Sequence, residues 1–233
     1  PILIEKDPSY LASLQALPFV DRERLLGDRV RGGNWKIKPS AGKVFNKDWF
    51  EVVDSVPDGG VVVRYFDFAA TAKSYFAQDP DYTAGVCMLY ANGDWYIIDL
   101  FHQQISASVT DRVTDEVFVR DAERFLHEGR RYMARWEIEP GSASLRDSVA
   151  RVKRLAGIDA KGVGKRVDKV TAWKPMAAQS EVGHVKILKG VWNDVLLNQL
   201  HGVPDLPHDD IADSASGAFS ALVGATQERK AIS

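Results

Sequence analysis

The order of strand and helix patterns constrains the fold of this chain more than any other sequence feature. A turn sequence at 58–60 leads into a β-branched and aromatic run at 61–67, a pattern typical of a strand. Further strands are predicted at 83–90 and 95–101, and Asn92-Gly93 between them has the composition of a two-residue hairpin turn. Three strands in meander order therefore begin the predicted sheet.

Helix and strand patterns alternate after this meander. Predicted in chain order are a helix at 113–128, a strand at 132–139, a helix at 142–155, a short strand near 162–166, a helical turn at 174–179, a second hairpin arm at 183–190, and helices at 192–200 and 209–223. This order requires a mixed sheet flanked by helices, so the predicted fold class is α/β. We expect residues 1–57 to be a lead-in or linker segment that packs on the core domain, which spans 58–233.

Composition excludes several classes of protein. The chain is 45% hydrophobic and 27% charged, as in ordinary globular domains. Because it contains no run approaching eighteen apolar residues, we expect no membrane span. The first six residues lack a basic region followed by an apolar core, so we expect no secretion signal. The single cysteine, Cys87, lies in an apolar run and is predicted to be a small core residue.

Charge is segregated along the chain although the net charge is only −2. Residues 22–47 contain eight Lys and Arg against two acids, and residues 146–174 contain nine against three. Basic faces of this kind suit contact with phosphates, whereas the acids concentrated elsewhere suit cation binding. Taken alone, the charge pattern is more simply explained by solvated helix faces.

Acidic residues fall where a sheet-based metal site would need them. Asp67 ends the first predicted strand, and Glu137 and Glu139 end the fourth, where a spacing of two places them on one face. The stretch 208–213 opens the last predicted helix, and its acids at spacings of three and four share one side. The candidate metal ligands are Asp67, Glu137, Glu139, Asp209, Asp210 and Asp213.

Hydrolysis of a phosphodiester would use such a cluster. Two divalent cations can activate water and neutralise the charge on the leaving oxygen, and Mg²⁺ and Mn²⁺ prefer carboxylate oxygens. Each acid also has a structural interpretation. Asp209 and Asp210 could be helix caps, Asp67 a turn residue, and either glutamate a partner of Arg135.

Several motifs, taken in order and spacing, resemble the nuclease domain of tailed-phage terminase large subunits. They are Trp136-Glu137-Ile138-Glu139-Pro140-Gly141-Ser142-Ala143, the stretches 168–175 and 178–185, Trp192-Asn193 and His208-Asp209-Asp210-Ile211-Ala212-Asp213-Ser214. The stretch 8–35 resembles the segment that joins the ATPase of that family to its nuclease. The likeness covers nearly the whole chain, but Ser144 stands where the family pattern has glycine.

The resemblance implies a ribonuclease-H-like fold and a Mg²⁺- or Mn²⁺-dependent endonuclease that cuts double-stranded, concatemeric viral DNA during genome packaging. Asp67, Glu137 and Asp210 would be the catalytic acids that hold two divalent cations, with Glu137 slightly preferred to Glu139. Asp209, Asp213 and His208 would assist.

Partners are implied in the same way. Lys169, Lys174 and Arg166 are expected to contact the DNA backbone. A portal protein, a small terminase subunit and an ATPase domain are further expected partners in the host cytoplasm, and we expect the isolated domain to be a monomer. The chain lacks a phosphate-binding P-loop sequence of its own.

Two alternatives remain open at this point. One is a non-catalytic DNA-clamping or portal-docking module on the same fold. The other is a resolvase or transposase core, which the ordered motifs disfavour.

Overall fold

A seven-stranded sheet organises the computed structural model, which describes residues 44–68, 82–164 and 167–232. Its strands lie in the order β1-β7-β4-β3-β2-β5-β6. Their bounds are β1 Glu51–Val53, β2 Val61–Asp67, β3 Thr83–Ala91, β4 Asp94–Gln103, β5 Arg131–Ile138, β6 Asp159–Gly164 and β7 Val185–Leu188.

The predicted meander is confirmed. β2 pairs antiparallel with β3, and β3 pairs antiparallel with β4. Asn92 and Gly93 join β3 to β4 with positive φ angles of 55° and 94°, as a tight hairpin turn requires. On its other side β2 pairs parallel with β5, and β5 pairs parallel with β6. The sheet is therefore mixed, and the predicted α/β class is confirmed.

Two strands differ from the sequence prediction. The segment 183–190 was expected to be a hairpin arm, but β7 pairs parallel with both β4 and β1, so that expectation is wrong. The strand β1, within the predicted lead-in segment, was not expected at all. It forms one border of the sheet, and β6 forms the other. The division of the chain at residues 57 and 58 stays a prediction.

Five α-helices and one short 3₁₀ helix (Lys47–Trp49) are seen in the described part of the chain. The α-helices are α1 Ala107–His127, α2 Ser142–Arg154, α3 Lys169–Glu181, α4 Asn193–Gly202 and α5 Asp210–Ile232. α1 begins six residues before the predicted start, and α3 is a full helix where only one turn was expected. α3 continues through Pro175, a residue that removes a backbone donor from a helix interior.

The two faces of the sheet carry separate hydrophobic cores. Alternate residues of β2, such as Val63 and Tyr65, face a core that includes residues of α3, α4 and α5. The intervening residues, such as Phe66, face a second core that includes residues of α1. Cys87 is fully buried in this second core, as predicted.

The tryptophans mostly pack in these cores. Trp136 and Trp173 are buried, and Trp49, Trp95 and Trp192 are partly buried against the first core; Trp35 lies outside the described residues. Among the helices described, none combines the length and apolar character needed to cross a membrane.

Candidate active site

Asp67 and Glu137 end two neighbouring parallel strands on the same face of the sheet. The last paired positions of β2 and β5 are Phe66 and Trp136, and each acid is the next residue along its strand. Strand alternation places Asp67 on the face of Tyr65, and it places Glu137 on the face of Met133, which belongs to the same core. The register therefore brings these two predicted site residues side by side.

Glu139 lies one residue beyond the end of β5. A cavity of about 310 Å³ at this edge of the sheet is lined by Asp67, Glu137 and Glu139, together with Trp136 and Arg151 among others. Arg135, which could have paired with either glutamate, instead donates a hydrogen bond of 2.8 Å to Asp159. Of the two glutamates, Glu137 is the one whose strand position matches that of Asp67.

The start of α5 is fixed against the strand that carries Asp67. Ser214 Oγ donates to the carbonyl oxygen of Tyr65 at 2.6 Å and accepts from the backbone N–H of Val86 at 2.8 Å. Because all three groups are buried, these bonds hold the start of the helix on β2 and β3. The acids at the helix start are thereby held near the ends of the strands.

Tyr65 shows which acids share this region. Burial raises the pKa of its hydroxyl, and nearby carboxylates raise it further. The carboxylates that act on it are Glu137, Asp67 and Asp213. A second cavity, of about 260 Å³, is lined by Tyr65, Glu137, Trp173 and Asp213 among others. Three acids, one each from β2, β5 and α5, thus lie around one buried tyrosine.

Lys169, at the start of α3, bridges two acids near the start of α5. Its Nζ donates to Asp209 Oδ1 at 2.5 Å and to Asp213 Oδ2 at 2.9 Å. Partial burial acts to lower the pKa of Lys169, but the hydrogen bonds to the two carboxylates outweigh it, so that the pKa is raised. The other oxygen of Asp213 accepts a bond of 2.6 Å from the indole Nε1 of Trp173, which is 1% exposed. The carboxylates of Asp209 and Asp213 therefore share one cation, the ammonium of Lys169.

Asp210 is the first residue of α5, and its neighbour here is His208. The His208 Nδ1 lies 4.0 Å from Asp210 Oδ2. The ring of Tyr82 packs edge-on against His208 and stacks on His102 at 4.2 Å between centroids. His208 therefore lies beside the candidate acid it was expected to assist.

The predicted DNA-contacting residues have different surroundings. Lys174 is exposed on α3, whereas Lys169 is engaged with the acids near the start of α5. Arg166 lies outside the described residues. Sequence reasoning did not predict the roles of Tyr65, Trp173 and Ser214 around the acids. The sequence did contain one signal for part of this arrangement: the spacing of four between Lys169 and Trp173, which places both side chains on one side of a helix.

The residues present suit hard divalent cations in their chemistry. Within residues 44–68, 82–164 and 167–232, no three His, Cys, Asp or Glu side chains already form a geometry that would hold a metal ion. The oxygen-rich acid set nevertheless matches what Mg²⁺ and Mn²⁺ bind, and the ammonium of Lys169 shows that two of these acids attract a cation. Cation binding would require local side-chain movement.

Comparisons with known proteins identify the family and the fold. The model of a family described as terminase RNaseH-like domain matches residues 64–222. No curated protein matches this chain significantly.

Solved structures share the fold at low sequence identity. The magnesium-bound large terminase nuclease from thermophilic phage G20c has a TM-score of 0.52 at 17% identity, covering 75% of this chain and 94% of that one. The Mn-soaked, inhibitor-bound human cytomegalovirus terminase nuclease domain has a TM-score of 0.52 at 15% identity, covering 70% and 83%. The large terminase of a second thermophilic bacteriophage, in complex with ADP, has a TM-score of 0.52 at 14% identity, covering 76% of this chain and 44% of that one. The ribonuclease-H-like fold expected from the sequence is confirmed.

Proposed function

Since this chain belongs to the terminase RNaseH-like domain family, we propose that it is a metal-dependent endonuclease that hydrolyses phosphodiester bonds of double-stranded DNA. The observation that carries the proposal is the placement of Asp67 and Glu137 side by side at the ends of β2 and β5, with the acidic start of α5 packed against β2. Structures of two terminase nuclease domains, one soaked with Mn and one with bound magnesium, support the choice of cation.

We assign the catalytic roles to three acids. Asp67, Glu137 and Asp210 would hold two divalent cations, Mg²⁺ or Mn²⁺, and Glu139, Asp209 and Asp213 would supply further oxygen ligands or orient the first three. When bound, the cations would activate a water molecule and neutralise the charge that develops on the phosphate and the leaving oxygen. The carboxylates fix the position of that chemistry, and no covalent nucleophile from the protein is required.

The surrounding residues hold this acid set in place. Ser214 fixes α5 on the sheet, and Trp173 directs one oxygen of Asp213. Because Ser214 and Trp173 are buried and hydrogen-bonded, they keep the start of α5 and the carboxylate of Asp213 in position, and such positioning favours a reaction at one phosphate. Lys174, Lys169 and Arg166 would contact the DNA backbone, and such contacts carry little sequence information.

The biological setting is part of the same proposal. The enzyme would cut concatemeric viral DNA during genome packaging in the host cytoplasm, together with an ATPase domain, a portal protein and a small terminase subunit. The ADP-bound phage large terminase, of which this chain covers 44%, supports an arrangement in which the nuclease is one part of a longer machine.

Supercoiled plasmid DNA incubated with Mn²⁺ or Mg²⁺ tests the proposal. We expect the wild-type protein to nick and linearise the plasmid, EDTA to stop cleavage, and Asp67→Asn or Asp210→Asn to lower the rate by on the order of 100-fold or more. Asp194→Asn changes an exposed acid on α4 and is the matched control, with an unchanged rate.

Undiminished cleavage by Asp67→Asn would contradict the assignment of that acid. A protein that binds DNA but cuts it with neither metal would instead favour a non-catalytic DNA-clamping or portal-docking module. The engagement of Asp209 and Asp213 by Lys169 is the observation that makes this second function worth testing.

A further inference from the structure

We propose that Lys169 competes internally with divalent cations for the acids near the start of α5. In the cation-free protein its ammonium occupies Asp209 and Asp213, and a metal ion must displace it from Asp209 in order to use that carboxylate. This inference rests on the proposed function, because it assumes that divalent cations bind at these acids.

The oxygens engaged by Lys169 are the ones that a metal ion would need. Its Nζ lies 2.5 Å from Asp209 Oδ1 and 2.9 Å from Asp213 Oδ2. Mg²⁺ binds carboxylate oxygens at about 2.0–2.1 Å and tolerates little distortion of its octahedral shell. An ammonium at hydrogen-bond distance from the same oxygen takes up the space of the ion and repels it, so the two cations exclude each other at Asp209.

The burial of the three side chains shows which contact can break. Asp213 is 4% exposed, and its second oxygen is held by the buried indole of Trp173. Asp209 is 28% exposed and Lys169 is 43% exposed, so the lysine can give up its contact with Asp209 without leaving that carboxylate buried. Displacement from Asp209 therefore costs less than displacement of Trp173 from Asp213.

Competition of this kind lowers the apparent metal affinity without any change in the metal ligands. While Lys169 occupies the acids, only a fraction of the molecules can bind a metal ion through them. The smaller this fraction is, the higher the apparent dissociation constant for the metal. Removal of the lysine charge should therefore tighten metal binding. A lysine that only organises the acids for the metal would have the opposite effect, because its loss would weaken binding.

Calorimetric titration of the DNA-free protein with Mn²⁺ distinguishes the two cases. We expect Lys169→Met to bind Mn²⁺ about tenfold more tightly than the wild type. Lys169→Arg, which keeps the charge, should stay within about threefold of the wild type. Lys153→Met removes one positive charge from an exposed position on α2 and controls for net charge; its affinity should be unchanged.

Equal or weaker Mn²⁺ binding by Lys169→Met would overturn the inference. If that variant does not fold, as judged by its thermal unfolding in EDTA, Lys169→Gln is titrated in its place and the same comparison decides. The proposed function fails separately: a wild-type protein that binds Mn²⁺ but leaves plasmid DNA intact contradicts the nuclease proposal, and the comparison of Mn²⁺ affinities still decides the competition.

Discussion

The Ser214 hydroxyl donates a 2.6 Å hydrogen bond to the carbonyl oxygen of Tyr65, two residues before Asp67 along β2. The hydroxyl oxygen of Ser214 also accepts a bond from the backbone N–H of Val86 on β3. One small side chain therefore joins the helix that carries the last acids to two strands of the sheet. This contact therefore helps to keep the acids at the start of α5 next to the strand that carries Asp67.

Replacement of Ser214 by alanine should destabilise the protein by about 2 kcal/mol, because it leaves the buried N–H of Val86 and the carbonyl of Tyr65 without their partner. The midpoint of thermal unfolding should fall by roughly 4–8 °C for a domain of this size. Ser220→Ala, at an exposed position of the same helix, should change stability by less than about 0.5 kcal/mol. Equal effects of the two substitutions would show that the Ser214 contacts contribute little.

The two glutamates near the end of β5 should differ in their effect on cleavage. Glu137 follows the last position paired with β2, whereas Glu139 lies beyond the strand. We expect Glu137→Gln to lower plasmid cleavage with Mn²⁺ by on the order of 100-fold, and Glu139→Gln to lower it by no more than about fivefold. The reverse ranking would assign the ligand to Glu139.

Replacement of each of two glycines of α5 by alanine should change the stability of the protein in opposite directions. A Cβ on Gly217 would lie 2.4 Å from the ring of Tyr65, which is buried, whereas a Cβ on Gly224 would meet no atom within 4 Å. Gly224→Ala should stabilise the protein by about 0.5–1 kcal/mol, since alanine is the better helix former. Gly217→Ala should destabilise it by about 1–3 kcal/mol, because the ring must move. Urea unfolding measures both, and a stabilising Gly217→Ala would show that the ring adjusts freely.

A pH-dependent contribution to stability is expected at the turn between β3 and β4. Asp94 accepts a bond of 2.7 Å from His184 Nδ1 and lies 3.4 Å from the Lys186 ammonium. The hydrogen bond from His184, followed by that from Lys186, lowers the pKa of Asp94 below its ordinary value of 3.8 despite partial desolvation. Because the folded state binds this proton less tightly than the unfolded state, the contribution is present above the ordinary pKa and is lost as the pH falls through the lowered one.

Asp94→Asn should therefore cost about 0.5–1 kcal/mol at about pH 6, since the pair is partly exposed. The difference from the wild type should shrink as the pH falls below 3.8. Urea unfolding of both proteins across this range measures it. A difference that stays constant with pH would contradict the ionic origin of the contribution.

The sequence patterns predicted the sheet core and its two-residue turn because strand periodicity and Asn-Gly chemistry are local. The parallel pairing of β7 is not local. A four-residue strand carries no information about which partner it will join, and the expectation of a hairpin arm gave the wrong answer. The prediction gave α3 only the turn 174–179, whereas the helix begins at Lys169 and packs Trp173 and Met176 in the core.

The candidate site was predictable in its residue types but not in its internal contacts. Asp67 and Glu137 could be placed at strand ends from the pattern alone. Lys169 could be recognised only as a basic residue, because its contact with Asp209 joins residues forty positions apart in the chain. The prediction that Lys169 contacts DNA was made from its charge. The sequence did not show that two acids lie next to this lysine in the folded protein.

The two border strands of the sheet also bear on how the protein behaves at high concentration. β1 has three residues, and β6 contains two glycines and places Asp159 and Lys161 along the border. A short strand and a charged, glycine-containing strand are poor templates for the backbone of another molecule. Edge-to-edge aggregation should therefore be slow, and concentrated samples should fail by exposing the cores on heating rather than by extending the sheet from one molecule to the next.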